Sequence, residues 1–152
     1  MDAEQPLAAL RAVESIPGRG TPGTRITYIY TGTAWSHSRG AGGLESWSSE
    51  QNPPSAALEN DQWRADVEAA VLSSDKVNGI VIRPGAQYGR SGSMFEPFLL
   101  APAHDAAKAG GTFEVIGRPE TRLLLVHQDD LADLYVRAGE RVSTVTREVG
   151  TS

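Results

Sequence analysis

The sequence of 152 residues contains no cysteine, which excludes a disulfide framework and any thiolate metal or redox site. It also lacks an apolar run near the roughly 20 residues that span a bilayer. The amino-terminal stretch MDAEQPLAALRAVES carries acids where a secretory signal would carry bases. These absences predict a cytoplasmic chain without membrane contact. Charge of one sign is scarce too: 14 basic and 19 acidic side chains leave a net charge of −5, too small and too evenly spread for a nucleic-acid or anionic-membrane surface. The partner this balance suits is a small-molecule substrate or a nucleotide. Three histidines, at 37, 104 and 127, are too scattered for the ligand spacing zinc needs, so no metal site is expected.

What is present reads as one domain over 1–152, a length that allows a sizeable core. Leu7, Ala8, Leu10 and Val13 recur at three- and four-residue spacings, predicting a short helix from Pro6 to Ser15, closed by Pro17-Gly18. Ile26 to Thr31, ITYIYT, is β-branched and aromatic, a strand. Residues 32–59 form a long loop rich in Ser and Gly, and in a compact domain such a loop is usually functional. A helix over 61–73 follows, capped by Asn60 or Asp61, with Trp63, Val67 and Val71 on its apolar stripe.

GIVIRPG then predicts a central strand at 79–83, buried on both faces and ended by Pro84-Gly85. Pro97 and Pro102 divide Met94 to Ala109 into two short helices. TFEVIG and RLLLVH read as strands. Leu131, Leu134, Tyr135 and Ala138 mark a helix over 129–141 with an acidic first turn. Strands alternating with helices give an α/β layer fold with a mainly parallel sheet.

Four segments in order, YIYTGTAWSH, WRADVEAAVL, GIVIRPGAQYGRSGS and VHQDDLADLYVRAGE, resemble the extended and atypical short-chain dehydrogenases, the NAD-dependent epimerase/dehydratase group of the NAD(P)-binding Rossmann superfamily. The resemblance covers about Arg25 to Arg141. It implies a partial Rossmann-like α/β fold whose amino-terminal βαβ cofactor half is missing, with 84–127 as the substrate-side segment. In the family that missing half binds the dinucleotide pyrophosphate on backbone amides. Gly18-x-Gly20-x-x-Gly23 does match a glycine pattern, but it follows a helix and precedes a strand, the reverse of the order the fingerprint requires, so a surface loop is expected there.

The resemblance implies NAD or NADP as cofactor, and an acid–base pair Tyr-x-x-x-Lys. No tyrosine or lysine occurs between Thr31 and Asp75, and the matching helix offers Arg64 and Glu68 at that spacing. Arginine stays protonated and cannot replace a tyrosine, although it can bind an anion. Alternatively, Arg64 and Glu68 form a surface ion pair. The family's catalytic hydroxyl maps to Thr33, which could equally be a strand-end residue capping backbone groups, as could Thr31.

By the same resemblance Thr31, Pro84 and Gly85 lie against the cofactor, while Tyr88, Arg64 and Trp35 line the substrate pocket. Trp35 and Trp47 alternatively cover an apolar edge. Asp129 or Asp130 is expected to cap the last helix, His127 to make a structural hydrogen bond, and His104 to face solvent. Two functions remain open: an NAD(P)-binding epimerase/dehydratase-like protein without the catalytic pair, or a regulatory module that senses nucleotides or binds proteins. A chain lacking half of its sheet would also expose an edge through which copies could associate.

Overall fold

The four-residue spacing of Trp63, Val67 and Val71 builds α2, Gln62–Ser73, whose Val67 and Val71 are fully buried. The computed structural model of the chain describes residues 3–18, 25–34, 62–90, 92–93, 95–115 and 124–142. These form a mixed α/β structure with short parallel strand pairs. Residues group into two units, Met1–Arg83 with Arg137–Ser152, and Pro84–Val136, where composition predicts one.

In the first unit α1, Glu4–Glu14, precedes β1, Ile26–Thr31, and α2 leads to β2, Val77–Ile82. The two strands are parallel, in register from Ile26 opposite Val77 to Thr31 opposite Ile82. Parallel strands need a long crossover, and α2 lies within it. Leu10 from α1, Val67 and Val71 from α2, and Val77 from β2 make the core, with Leu7, Val13, Tyr28 and Trp63 packed on it. Burying each valine is worth about 1.5–3 kcal/mol.

Gly79 lets α2 lie directly on β2. A Cβ there would meet the Val71 carbonyl carbon at 2.8 Å and its Cγ1 at 3.0 Å, a main-chain obstacle that cannot rotate away.

In the second unit β3, Ala86–Tyr88, pairs in parallel with β4, Leu125–His127; α4, Gln128–Glu140, begins at the next residue and runs past Val136, the last residue of that unit. Pro97 lies in the first turn of a π-helical stretch, Glu96–Leu100, and Pro102 in the first turn of α3, Ala101–Lys108. Pro97 sits where its missing N–H has no helical partner to lose, whereas Pro102 follows directly on a helical turn and interrupts its hydrogen-bond ladder. They open two abutting segments, in keeping with the predicted two short helices.

The sequence places α1, β1, α2 and α4 within about two residues. Three expectations change. Thr112–Val115, the described part of TFEVIG, is irregular, because its alternating polar and apolar residues pair with no strand among the described residues: Val115 is 63% exposed. The strand expected at 79–83 begins earlier, at Val77, and pairs only with β1 among the described strands, so it is not central there. Of RLLLVH, Leu125–His127 form a strand and Leu124 does not, while Arg122 and Leu123 lie outside the described residues. Trp35, Trp47, the helix cap at Asn60 or Asp61 and most of the GRGTPG segment fall outside the described residues.

Candidate functional site

Parallel strands of equal length bring their carboxyl ends together, and ligands of α/β sheets bind beyond such ends. Here those ends are Thr31 and Ile82. The Gly32 amide donates to the Ile82 carbonyl at 2.9 Å, extending the ladder one residue past β1. Thr33 follows, half-buried. Thr31 and Thr33 therefore stand at one strand end.

Glu68 decides the chemistry of this edge. It is a charged side chain only 3% exposed, and its Oε2 accepts from the Arg83 Nε at 2.7 Å. A buried carboxylate needs such a partner, since an isolated charge in the interior is strongly disfavoured. Its other oxygen, Oε1, is buried with no hydrogen-bond partner among the described residues and lies against Gly32. A Cβ on Gly32 would run into Oε1 and approach Cδ to 3.0 Å, so only glycine leaves room for this carboxylate.

The expectation of an Arg64–Glu68 surface pair is overturned by Glu68 being buried and bound to Arg83. Arg64 lies over the Trp63 ring, 4.4 Å from its centroid, a cation–π arrangement. The signal for Glu68 is present in the sequence. It follows Val67 and precedes Val71 by three residues, which sets it about 60° from Val71, within the buried arc of a helix with 3.6 residues per turn.

Tyr30, the tyrosine closest in sequence to these residues, does not resemble a proton-transfer group. Burial pushes its phenol above the ordinary value, with Arg64 opposing and Glu68 and Tyr28 adding to the rise. A catalytic tyrosine needs the opposite shift.

In the second unit Pro84 and Gly85 precede β3 and Tyr88 ends it. The Tyr88 ring stands edge-on to His127, centroids 5.1 Å apart, and Tyr88 is 44% exposed. The His127 Nδ1 accepts from the Asp129 amide at 3.2 Å. That is the bond an N-cap makes to the second helical residue, so His127 performs the role expected of Asp129 or Asp130, both of which lie inside the first turn.

Asp129 instead accepts from the Arg90 Nε, and this bond holds its carboxyl below the ordinary carboxylate range. Arg90 adopts φ of 46°, directly after Gly89 at 107°, a left-handed turn uncommon for a residue with a side chain. His104 is exposed on α3, as expected. Sequence reasoning does not find the Arg90–Asp129 pair, because 39 residues separate the partners.

Among the described residues no group of three or more His, Asp or Glu side chains could hold a metal ion, and no helix is long and apolar enough to cross a membrane. Comparison with family models, curated proteins and solved structures gives no match. The candidate site thus stands on its own geometry.

The pyrophosphate of a dinucleotide requires a glycine-rich turn between a strand and a helix. Gly18 lies past the end of α1, and β1 starts at Ile26, so the GRGTPG segment lies between a helix and a strand and does not fit that group.

Proposed function

We propose that the chain is an NAD(P)-binding, epimerase/dehydratase-like protein of the short-chain dehydrogenase superfamily with a partial Rossmann-like fold, in which the acid–base pair has been lost. The observation that carries this reading is the parallel β1–β2 pair with α2 in its crossover and Thr31, Gly32 and Thr33 at the carboxyl edge. In that frame α2 presents Arg64 and Glu68 at the spacing where the family has tyrosine and lysine. In this reading Thr33 supplies the hydroxyl that orients a carbonyl. No step is assigned to a cofactor, since GRGTPG does not suit a pyrophosphate.

Glu68 favours a second reading, a non-catalytic module that senses a nucleotide or a protein. A buried carboxylate tied to Arg83 cannot lower the pKa of a neighbouring phenol as a lysine would, because a negative charge raises it.

The test is thermal unfolding of the purified chain with NAD, NADH, NADP and NADPH. Ligand at a hundred times its dissociation constant adds about 2.7 kcal/mol. For a domain of this size each kcal/mol moves the midpoint by roughly 2–4 °C. A shift with one dinucleotide supports the first reading, and no shift with any of the four removes NAD(P) binding and leaves the second. Hydride transfer with any substrate would contradict the loss of the acid–base pair.

A further inference from the structure

We propose that Arg83 forms an oxyanion-binding site at the carboxyl edge of the β1–β2 pair, receiving a carboxylate or phosphoryl group of a small ligand on its two terminal nitrogens. The proposal rests on the reading of this edge as the ligand-binding edge and names the chemical class of ligand it takes.

The guanidinium is a planar fork that can bind on two sides. One side is already used: Nε donates to the Glu68 Oε2 at 2.7 Å. The terminal nitrogens make no hydrogen bond to the described residues, and neither is among the buried atoms without a partner. They therefore reach solvent, in keeping with an Arg83 side chain that is 22% exposed while that of Glu68 is 4% exposed.

Glu68 makes this more than an exposed arginine. Its carboxylate is closed off from water, and its Oε1, without a partner among the described residues, is shut in by Gly32. Glu68 thus has no competing hydrogen bond from the described residues to draw it away from Arg83. The guanidinium is held in one orientation, so little rotamer entropy remains to be lost when a ligand docks.

Arg83 follows directly on Ile82, the carboxyl-terminal residue of β2, in register with Thr31. Its charged end belongs to the edge where Thr31 and Thr33 stand.

The experiment titrates the whole chain with inorganic phosphate and, separately, with acetate, following the unfolding midpoint against chloride at matched ionic strength. The variants are Glu68→Gln, which removes the buried charge but retains Arg83, and Glu68→Gln/Arg83→Gln, which leaves no charge unpaired and so folds where Arg83→Gln alone could fail. Expected is a midpoint raised by phosphate or acetate beyond the chloride control in the wild type and in Glu68→Gln. In the double variant the apparent dissociation constant rises at least tenfold.

The anion with the lower constant tells a phosphoryl from a carboxylate ligand. Stabilisation no greater than that of chloride, or equal stabilisation in the double variant, overturns the site. Dinucleotide titrations run in parallel separate the two claims. Oxyanion binding without a dinucleotide shift sinks only the NAD(P) reading, and a dinucleotide shift with no dependence on Arg83 sinks only this site.

Discussion

Replacing Gly32 with alanine tests the packing at the centre of the candidate site. The new Cβ would overlap Oε1 of Glu68 and lie 3.0 Å from Cδ, so the carboxylate must move. Moving it lengthens the 2.7 Å bond to Arg83. Overpacking a filled site costs about 1–3 kcal/mol, and separating a buried ion pair about 3–5 kcal/mol. Arg83 is partly exposed and can rehydrate, which favours the low end of the second range.

The two costs are alternatives as much as additions, because a carboxylate that swings away relieves the overlap. A total of about 3 kcal/mol is expected, lowering the midpoint by roughly 6–12 °C at 2–4 °C per kcal/mol. The assay is urea unfolding of wild type, Gly32→Ala, Glu68→Ala and the double variant. Once Glu68 is truncated the Cβ of residue 32 meets little, so Gly32→Ala should cost under about 1 kcal/mol in that background, a coupling near 2 kcal/mol. Costs that add within about 0.5 kcal/mol would refute the argument that Gly32 exists to admit Glu68.

Two further outcomes follow from the same geometry. His127→Ala should lose the cap of α4 and about 1 kcal/mol, whereas His127→Asn, which can accept the same amide, should recover most of it; equal losses in chemical denaturation would show that the ring acts only by packing. Burial raises the Tyr30 pKa, so the folded state holds this proton more tightly than the unfolded chain. Its contribution is complete below the unfolded value of about 10 and is lost as pH rises through the folded value. Tyr30→Phe should therefore flatten the alkaline fall in stability, and an unchanged profile would place that fall elsewhere.

The sequence carries the helices better than the sheet. Val67 and Val71 reveal α2 because a stripe of four-residue period lines one face of a helix and suits no half-buried strand, and Leu131 with Ala138 does the same for α4. Thr112–Val115 misleads because alternation reports only what a strand would do with a neighbour, and no strand among the described residues pairs with it. For the candidate site the sequence offers Thr31, Thr33 and Arg64 only through the resemblance. Its central interaction is not legible, because Glu68 and Arg83 lie 15 residues apart on different elements. Pairing a charged residue inside an apolar arc with its neighbour requires the three-dimensional path of the chain. A structural bond is expected of His127 and found, yet the sequence points to the aspartates for the cap because they are the commoner capping residues.

The bond from the Asp129 amide to His127 fixes more than the start of a helix. The Nδ1 lone pair points at a backbone N–H and is engaged there, not open to a metal ion. Nitrogen chemical shifts of the ring should report a single tautomer, so His127 offers a spectroscopic marker for whether the β4–α4 junction is formed.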